Sequence, residues 1–283
     1  MILVFGRNGQ VARALQDLDL EARCLGRTEA DLSDPAACVR AIRDHTPTAV
    51  INAAAYTAVD RAEQEEDLAT VINGAAPTAM AQVCTDMGIP LVHISTDYVF
   101  DGGGTQPFTP ECDTAPLNAY GRSKLAGEVG VAAAGGPHAI LRTSWVFSAQ
   151  GANFLRAMLR LGRERAHLSV VADQMGGPTP ARAIAHACLT IAQCLQTDPG
   201  KAGTYHISGA PDTSWAEFAR AIMQAAALDC RIEDIPTTAY PTPARRPLNS
   251  RLNCDSLAVF GLTRPDWRAG LHDMITEAGD HSE

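Results

Sequence analysis

The stretch Met1-Ile-Leu-Val-Phe5 followed by Gly6-Arg-Asn-Gly9-Gln-Val-Ala12 decides the fold of this 283-residue chain. The first five residues form an apolar run typical of a buried strand, and a helical pattern follows the glycines through Leu18. A strand, a glycine turn and a helix in this order form the phosphate-binding element of a doubly wound sheet. Glycines let the backbone approach a pyrophosphate, and the helix start offers it free N–H groups. A tight turn without a ligand is the alternative for this element taken alone.

Apolar runs farther along the chain predict that the sheet continues. Those at 22–25, 48–53 and 91–95 predict strands, and the pattern at 35–45 predicts a crossover helix. The run at 48–53 is apolar at nearly every position, as expected for a parallel strand covered on both faces. The predicted fold class is therefore α/β, a doubly wound Rossmann-type parallel sheet with a second, smaller α/β substrate lobe. We assign 1–150 to the dinucleotide-binding domain with a returning segment at about 168–200, and 151–167 and 203–283 mainly to the substrate-binding lobe.

The end of the second strand indicates which dinucleotide the turn would bind. An acidic residue there would hydrogen-bond the ribose 2′-hydroxyl, whereas an arginine suits a 2′-phosphate. Arg27 stands at this position, so NADPH is the predicted cofactor and NADH the alternative. Asp31-Leu32 would border the adenine, and the segment 54–57 would lie at the carboxyl edge of the third strand, where ligands bind.

Tyr120-Gly-Arg-Ser-Lys124 is the clearest chemical motif, because Lys124 is one of two lysines in a chain with 21 arginines. A Tyr and a Lys four residues apart lie on the same face of the helix predicted at 118–134. A nearby ammonium lowers the pKa of a phenol from its reference value near 10, which makes Tyr120 a candidate general acid or base. Thr96, at the end of the fourth strand, can hydrogen-bond a carbonyl oxygen or oxyanion. A surface pair formed by accident is the alternative for the Tyr and Lys alone.

Several further motifs accompany these two. They are Ser95-Thr-Asp-Tyr-Val-Phe100, Leu141-Arg-Thr-Ser-Trp-Val-Phe147, Asp173-Gln-x-Gly-x-Pro-Thr179 and Tyr240-Pro-Thr-Pro-Ala-Arg-Arg-Pro247. The combination resembles the extended short-chain dehydrogenase/reductase group and, within it, the dTDP-4-dehydrorhamnose reductase family. The resemblance covers nearly the whole chain.

The resemblance implies reduction of the 4-keto group of dTDP-6-deoxy-L-lyxo-4-hexulose to dTDP-L-rhamnose by NAD(P)H. It also implies that Tyr120 donates the proton, that Lys124 lowers the Tyr120 pKa and holds the nicotinamide ribose, and that Thr96 hydrogen-bonds the carbonyl oxygen. Implied cofactor contacts are Gly9, Gln10, Val11, Asp31, Leu32, Ala55, Tyr56, Thr57, Tyr120 and Lys124. The glycine turn and the end of the second strand add Gly6 and Arg27 to these. Implied contacts with the sugar nucleotide are Thr96, Asp97, Trp145, Asn153, Gln174, Arg246 and Arg251.

Other residues of interest have plainer interpretations. Trp145 is expected to face the cleft, with its indole on the deoxysugar or in an interdomain contact, whereas Trp215 and Trp267 are expected to be structural. His93 is expected to be a packed core residue rather than a ligand. The arginines near 245–251 are candidates for gripping the diphosphate, with a solvated turn as the alternative.

Composition and charge limit the classes of partner. A net charge of −9 argues against nucleic acid, which needs a basic surface. No apolar run approaches the roughly 20 residues of a membrane span, and no charged-then-apolar leader precedes the first strand, so we expect a cytoplasmic protein that does not bind membranes. The eight cysteines show no zinc spacing and are expected to be reduced.

The resemblance also bears on metals and assembly. We expect no metal site, and Mg²⁺ is doubtful because Ala14 stands where some family members carry a glutamate of a magnesium-linked dimer. A monomer or a homodimer is therefore expected.

Two other functions stay open, and dTDP and UDP are alternative handles for the sugar. A sugar-nucleotide epimerase or dehydratase could share the Tyr and Lys, but dehydratases usually add an acidic pair after the threonine, and here Tyr98 follows Asp97. A non-catalytic NADP-binding regulatory subunit would not need the three candidate catalytic residues.

Overall fold

The computed structural model describes residues 1–280. Its strands are β1 (Ile2–Phe5), β2 (Arg23–Leu25), β3 (Ala49–Asn52), β4 (Leu91–Thr96), β5 (His138–Thr143), β6 (Val146–Phe147), β7 (His167–Val171), β8 (Met175–Gly176), β9 (Thr179–Pro180), β10 (Gly203–Ile207), β11 (Thr213–Ser214), β12 (Arg231–Ile235) and β13 (Asn249–Ser250). Its α-helices are α1 (Gln10–Leu18), α2 (Pro35–His45), α3 (Val59–Ala62), α4 (Glu66–Thr70), α5 (Ala76–Met87), α6 (Ala119–Ala133), α7 (Phe154–Glu164), α8 (Ala181–Thr197), α9 (Trp215–Ala225) and α10 (Leu271–Asp280). A π-helical turn, Val71–Ala75, joins α4 to α5.

A six-stranded sheet organises the first part of the chain. Its strand order is β2-β1-β3-β4-β5-β10, and every neighbouring pair is parallel. The order reverses between β1 and β3, and such a switch point is where doubly wound sheets bind ligands. The predicted α/β class with a doubly wound parallel sheet is confirmed.

Apolar side chains on both faces of the sheet hold the helices against it. Leu3, Phe5 and Val50 face α2 and α5 in one buried cluster, whereas Val4 and Ile51 face α1 and α8 in the other. Alternate residues of each strand thus enter opposite cores, which explains why β1 is apolar at every position and β3 at every position but its last, Asn52.

A third buried cluster lies outside the main sheet. It combines side chains of α7, β7, α9, β12 and α10, including Phe218 and Ile222, with Phe147 of β6 and the fully buried Trp267. None of the helices in the described part of the chain is long and apolar enough to cross a membrane.

Two strands differ from the predicted division of the chain. Strand β7, expected to return to the first domain with 168–200, pairs with β12 and packs in the third cluster. Strand β10, expected in the second lobe, pairs with β5 and extends the main sheet. Both strands are short apolar runs, and their sequences do not distinguish one sheet from the other. The predicted second lobe runs to 283, of which 281–283 lie outside the described residues.

Candidate active site

A cleft of ≈ 450 Å³ lies at the carboxyl ends of β1, β3, β4 and β5. Its walls come from the glycine turn, the segment after β3, the end of β4, α6 and the segment after β5. The predicted residues that line it are Gly9, Gln10, Val11, Ala55, Thr57, Thr96, Asp97, Tyr120, Lys124 and Trp145. The structure therefore brings together residues from five separate parts of the sequence.

The glycine turn gives the cleft its backbone wall. Gly6 has φ +103°, and a Cβ there would lie 3.2 Å from the backbone of Ala53. Helix α1 begins directly after Gly9, so the unpaired N–H groups of its first turn start at this wall. Such a helix start suits a bound anion, and a side chain at position 6 would push the turn away from β3.

A buried asparagine that the sequence analysis missed holds the segment after β3. Asn73 Oδ1 accepts a hydrogen bond from the Tyr56 backbone N–H at 2.8 Å, and its Nδ2 donates to the Tyr56 carbonyl and to Ser123 Oγ of α6. Asn73 lies in the π-helical turn, which packs closely on α6 because Gly127 has no side chain there. A π-helical turn in a long helix often marks a functional site. The turn is visible only in the structure, and no sequence motif marks Asn73.

The start of α6 sets the direction of Tyr120 and Lys124. Asn118 Oδ1 caps the helix by accepting from the Gly121 N–H at 2.8 Å, as the predicted start requires. Gly121 allows this turn to touch the Tyr98 carbonyl, since a Cβ there would be 2.2 Å from that oxygen. The Tyr98 ring meets the Tyr120 ring edge to face, with centroids 5.6 Å apart. Tyr120 and Lys124 consequently face the same cleft.

Burial shifts the pKa of both groups. It raises the pKa of Tyr120 to about 12, and the Thr96 hydroxyl lowers it by a smaller amount. Burial also lowers the pKa of Lys124 to about 8. The Lys124 amino group bonds the Ile94 carbonyl at 2.7 Å and lies 3.2 Å from His93 Nε2. The Tyr120 pKa is therefore raised and not lowered as predicted, because burial removes water from around the phenol.

Three buried polar atoms at the cleft have no hydrogen-bond partner among the described residues. They are Ser95 Oγ and Asp97 Oδ2 at the end of β4 and Thr143 Oγ1 at the end of β5. Thr96 Oγ1 donates to Asp97 Oδ1 at 3.1 Å, and burial raises the pKa of Asp97 to about 6. Buried polar atoms are rarely left unpaired, so these atoms are suited to a polar ligand.

Two tryptophans form the far wall of the cleft. Trp145 has φ +48°, which is uncommon for a bulky residue, and its indole stacks on Trp215 with ring centroids 3.7 Å apart. Gly176 leaves room for this indole, because a Cβ there would lie 2.8 Å from it. Trp215 was expected to be structural but lines the cleft together with Trp145.

Several predicted cofactor residues do not line the cleft. Leu32 packs in a core cluster, and the Tyr56 hydroxyl donates to Glu65 at 2.7 Å. The Arg27 side chain is 80% exposed, with Nε 3.7 Å from Asp31 Oδ2. Gly6 does not line the cleft either, but its backbone shapes the glycine turn that forms one wall.

The four remaining predicted substrate residues have partners within the protein. Asn153 caps α7 and donates to Gln10 Oε1 at 2.9 Å, and Gln174 donates to Thr237. Arg246 pairs with Asp60 through both its terminal nitrogens, at 3.0 and 2.8 Å. Arg251 donates to Asn249 Oδ1.

Further lining residues escaped the sequence analysis. They are Asn8, Ala53, Val59, Ile94, Ser95, Tyr98, Thr143, Ser144, Val146, Gly151, Ala152 and Trp215. Many directly adjoin a strand end or the glycine turn, which is the signal that could have identified them. Ala54, within the predicted segment 54–57, also lines the cleft. His93 lies in the buried core, as expected, but in contact with Lys124. No group of three or more His, Cys, Asp or Glu side chains within 1–280 could hold a metal ion.

Comparison with known proteins identifies relatives over nearly the full length. The family model for the RmlD substrate binding domain matches residues 1–279. A dTDP-4-dehydrorhamnose reductase of Burkholderia thailandensis is 48% identical, covering 94% of this chain and 95% of the relative. One from Sinorhizobium fredii is 42% identical, covering 97% and 96%.

A solved structure shares the fold. The crystal structure of dTDP-4-dehydrorhamnose reductase from Bacillus anthracis in complex with NADP matches with a TM-score of 0.90 and 34% identity, covering 98% of each chain. Because the family model and both relatives extend over nearly the whole chain, the protein belongs to the dTDP-4-dehydrorhamnose reductase family.

Proposed function

We propose that this protein uses NADPH to reduce the 4-keto group of dTDP-6-deoxy-L-lyxo-4-hexulose, giving dTDP-L-rhamnose. The observation that carries the proposal is the convergence of Thr96, Tyr120 and Lys124 on the cleft that the glycine turn opens into. Relatives named for this activity, and a related structure solved with NADP, support the choice of substrate and cofactor.

The residues of the cleft fit a dinucleotide. Gly6 and Gly9 keep the wall beside the start of α1 free of side chains, as a pyrophosphate requires. The unpaired Ser95 and Thr143 hydroxyls offer partners for the polar groups of a bound ring. Gln10, Val11, Ala55 and Thr57 would complete the site. Bound NADPH would supply the hydride that reduces the carbonyl carbon.

Tyr120 acts as the general acid. Its raised pKa keeps the phenol protonated at neutral pH, which is the state a proton donor needs. An alkoxide is a stronger base than a phenolate, so the transfer from Tyr120 to the reduced oxygen is favourable without a lowered pKa. Burial thus favours the reduction, in which Tyr120 donates its proton.

Thr96 and Lys124 position the reacting groups. Thr96 is 5% exposed beside Tyr120, and its hydroxyl, turned away from Asp97 Oδ1, donates to the carbonyl oxygen as charge develops there. Lys124 is fixed by Ile94 and His93, which leaves one N–H that would bind the ribose of the cofactor.

The sugar lies between Asp97 and the stacked tryptophans. The unpaired Asp97 Oδ2 accepts from a sugar hydroxyl, and Trp145 packs on the deoxysugar ring. The third buried cluster forms the core of the lobe that binds the nucleotide, and Arg246 and Arg251 grip its diphosphate, Arg246 after release from Asp60.

The test supplies the purified protein with dTDP-6-deoxy-L-lyxo-4-hexulose and either NADPH or NADH. We expect one nicotinamide oxidised for each dTDP-L-rhamnose formed, with the product identified by mass spectrometry and NMR. The UDP form of the same sugar serves as the matched control for the nucleotide. Absence of nicotinamide oxidation by a folded protein that binds NADPH would contradict the proposal, and a product epimerised without oxidation would assign an epimerase.

A further inference from the structure

Lys124 is among the most deeply buried charged residues of the chain, with 1% of its surface exposed. Its amino group contacts the Ile94 carbonyl at 2.7 Å and His93 Nε2 at 3.2 Å. A carbonyl can only accept, so Lys124 donates to Ile94. The direction of the contact with His93 depends on which ring nitrogen carries the proton.

Asn52 determines that proton's location. Its Oδ1 lies 3.2 Å from the Ala54 backbone N–H, which can only donate, so this atom must be the amide oxygen. Its Nδ2 therefore faces His93 Nδ1, at 3.1 Å. An NH₂ group can only donate, so Nδ1 accepts and the proton of the neutral ring lies on Nε2.

The proton on Nε2 points at Lys124. Lys124 can accept it only through a lone pair, which an amine has and an ammonium lacks. The opposite direction, with an ammonium donating to Nε2, needs the ring proton on Nδ1 and a half-turn of the Asn52 amide. That half-turn would leave the Ala54 N–H facing an NH₂ group.

The neighbouring charges allow Lys124 to be either an amine or an ammonium. Glu128, one turn along α6, is already bound by Arg142 of β5 at 2.7 Å. Tyr98, Tyr120 and Asp97 are other titratable groups that line the cleft. Burial and the Lys124 charge hold the pKa of His93 well below its ordinary value, so the ring stays neutral. Burial lowers the pKa of Lys124 to about 8, close to physiological pH.

We propose that Asn52 and His93 are positioning residues that set the charge of Lys124, through a chain of hydrogen bonds whose resting direction favours the amine. The two states differ by one proton, which Lys124 takes from solvent through the cleft as the ring proton moves to Nδ1 and the Asn52 amide turns. The consequence for catalysis rests on the proposed reductase function, whereas the chain of hydrogen bonds does not.

The histidine tautomer is the first measurement. Protein labelled with ¹⁵N-histidine gives ring nitrogen shifts that report which nitrogen is protonated, and His93→Gln identifies the signals of His93. We expect the proton on Nε2 in the parent protein at a pH above the Lys124 pKa. A proton on Nδ1 there would overturn the proposal.

The charge of Lys124 is the second measurement, and the composition makes it simple. Labelling lysine at Cε and Nζ gives two signals, from Lys124 and Lys201, and Lys201→Arg distinguishes them. In Asn52→Asp the carboxylate accepts from both Ala54 and His93 Nδ1, so Nε2 becomes an acceptor for the ammonium. We expect the Lys124 pKa to rise by about 1 unit or more.

A double-mutant cycle separates the effect of this chain of hydrogen bonds on the Lys124 pKa from the effect of the new carboxylate's charge. The carboxylate alone acts through space with or without the ring, so Asn52→Asp is also measured in a His93→Leu background. Loss of more than half of the Lys124 pKa shift in that background supports the proposed chain of hydrogen bonds, and an unchanged shift overturns it. If His93→Leu does not fold, the tautomer of His93 in Asn52→Asp decides, with the proton expected on Nδ1.

The two proposals fail in different ways. A parent protein that shows the expected tautomer but never oxidises NADPH would remove the proposed function and leave the hydrogen-bond chain intact. An active reductase whose His93 carries its proton on Nδ1 at high pH would do the reverse. In an active enzyme, Asn52→Asp should extend tight NADPH binding to higher pH, because Lys124 then keeps its charge.

Discussion

The cleft and the later, arginine-bearing segments differ in how far their polar groups are already paired. On the side of the main sheet, Ser95 Oγ, Asp97 Oδ2 and Thr143 Oγ1 are buried without partners among the described residues. In the later segments, which we call the arginine side, Arg246 is bound by Asp60 and Arg251 donates to Asn249 Oδ1. The first side carries atoms that a ligand can satisfy without breaking any bond.

This difference separates two ways of binding. A ligand at the sheet side gains hydrogen bonds to atoms that burial has already removed from water, so the protein met that cost when it folded. A diphosphate at Arg246 must first displace Asp60, whose bidentate bond competes with it. Chemistry is therefore expected to depend on the sheet side, and affinity for the nucleotide on the arginine side.

Tyr120→Phe is expected to have the largest effect of the substitutions on the sheet side. Removing the general acid should lower turnover by about 10²- to 10⁴-fold while NADPH still binds, because the phenol hydroxyl alone is lost. Steady-state kinetics and NADPH titration measure the two effects. Tyr205→Phe is the matched control, since that hydroxyl donates to the Lys201 carbonyl away from the cleft. Turnover of Tyr120→Phe within a few-fold of the parent would exclude the assigned role.

Gly6→Ala tests the backbone wall of the same side. Its φ of +103° and the 3.2 Å approach to Ala53 should together cost about 2 kcal/mol of unfolding free energy and weaken NADPH binding about tenfold. Gly88→Ala also has a positive φ, but a Cβ there meets nothing within 4 Å, so we expect a loss of about 1 kcal/mol and no change in binding. Equal effects of the two substitutions on binding would show that close approach plays no part.

Asp60→Asn tests the arginine side, through the pair of Asp60 with Arg246. Loss of the charged pair with Arg246 should reduce the unfolding free energy by about 1 kcal/mol at pH 7. Arg246 lowers the pKa of Asp60, so this stabilisation is present above the ordinary carboxyl pKa and lost as pH falls through the lowered value in the folded protein. Denaturant titrations at pH 7 and pH 3 should show the difference between variant and parent shrinking in acid.

The same substitution tests whether Arg246 binds the diphosphate of the sugar nucleotide. The neutral amide that Asp60→Asn introduces competes less for Arg246, so the KM for the sugar nucleotide should fall a few-fold with kcat unchanged. Arg246→Gln is the complementary variant and should raise that KM. A KM unaffected by both substitutions would remove Arg246 from the proposed binding site.

Arg27→Gln has the smallest expected effect. Its exposed guanidinium should contribute only a few-fold to the affinity for NADPH, because water screens a charge on the surface. NADH lacks the 2′-phosphate, so its KM should stay the same, and comparison of the two KM values measures the contribution. An equal rise for both cofactors would indicate a structural effect instead.

Local sequence determined the elements around the cleft. Helix α2 spans Pro35–His45 as predicted, because Asp34 caps it by accepting from the Ala36 N–H and Pro35 fits its first turn. Helix α6 follows its Asn118 cap in the same way, and the cleft contains most of the residues predicted to meet there. These features depend on neighbours within a few residues, which the sequence displays directly.

Tertiary structure decided what depends on distant partners. Strand β7 joined β12 and β10 joined β5, Asp60 met Arg246 across 186 positions, and burial raised the Tyr120 pKa that its neighbouring lysine was expected to lower. Strand pairing, ion pairing and desolvation are set by which surfaces pack together. The spacing of Tyr120 and Lys124 determined that they would share a face, but only the folded core determined their charge.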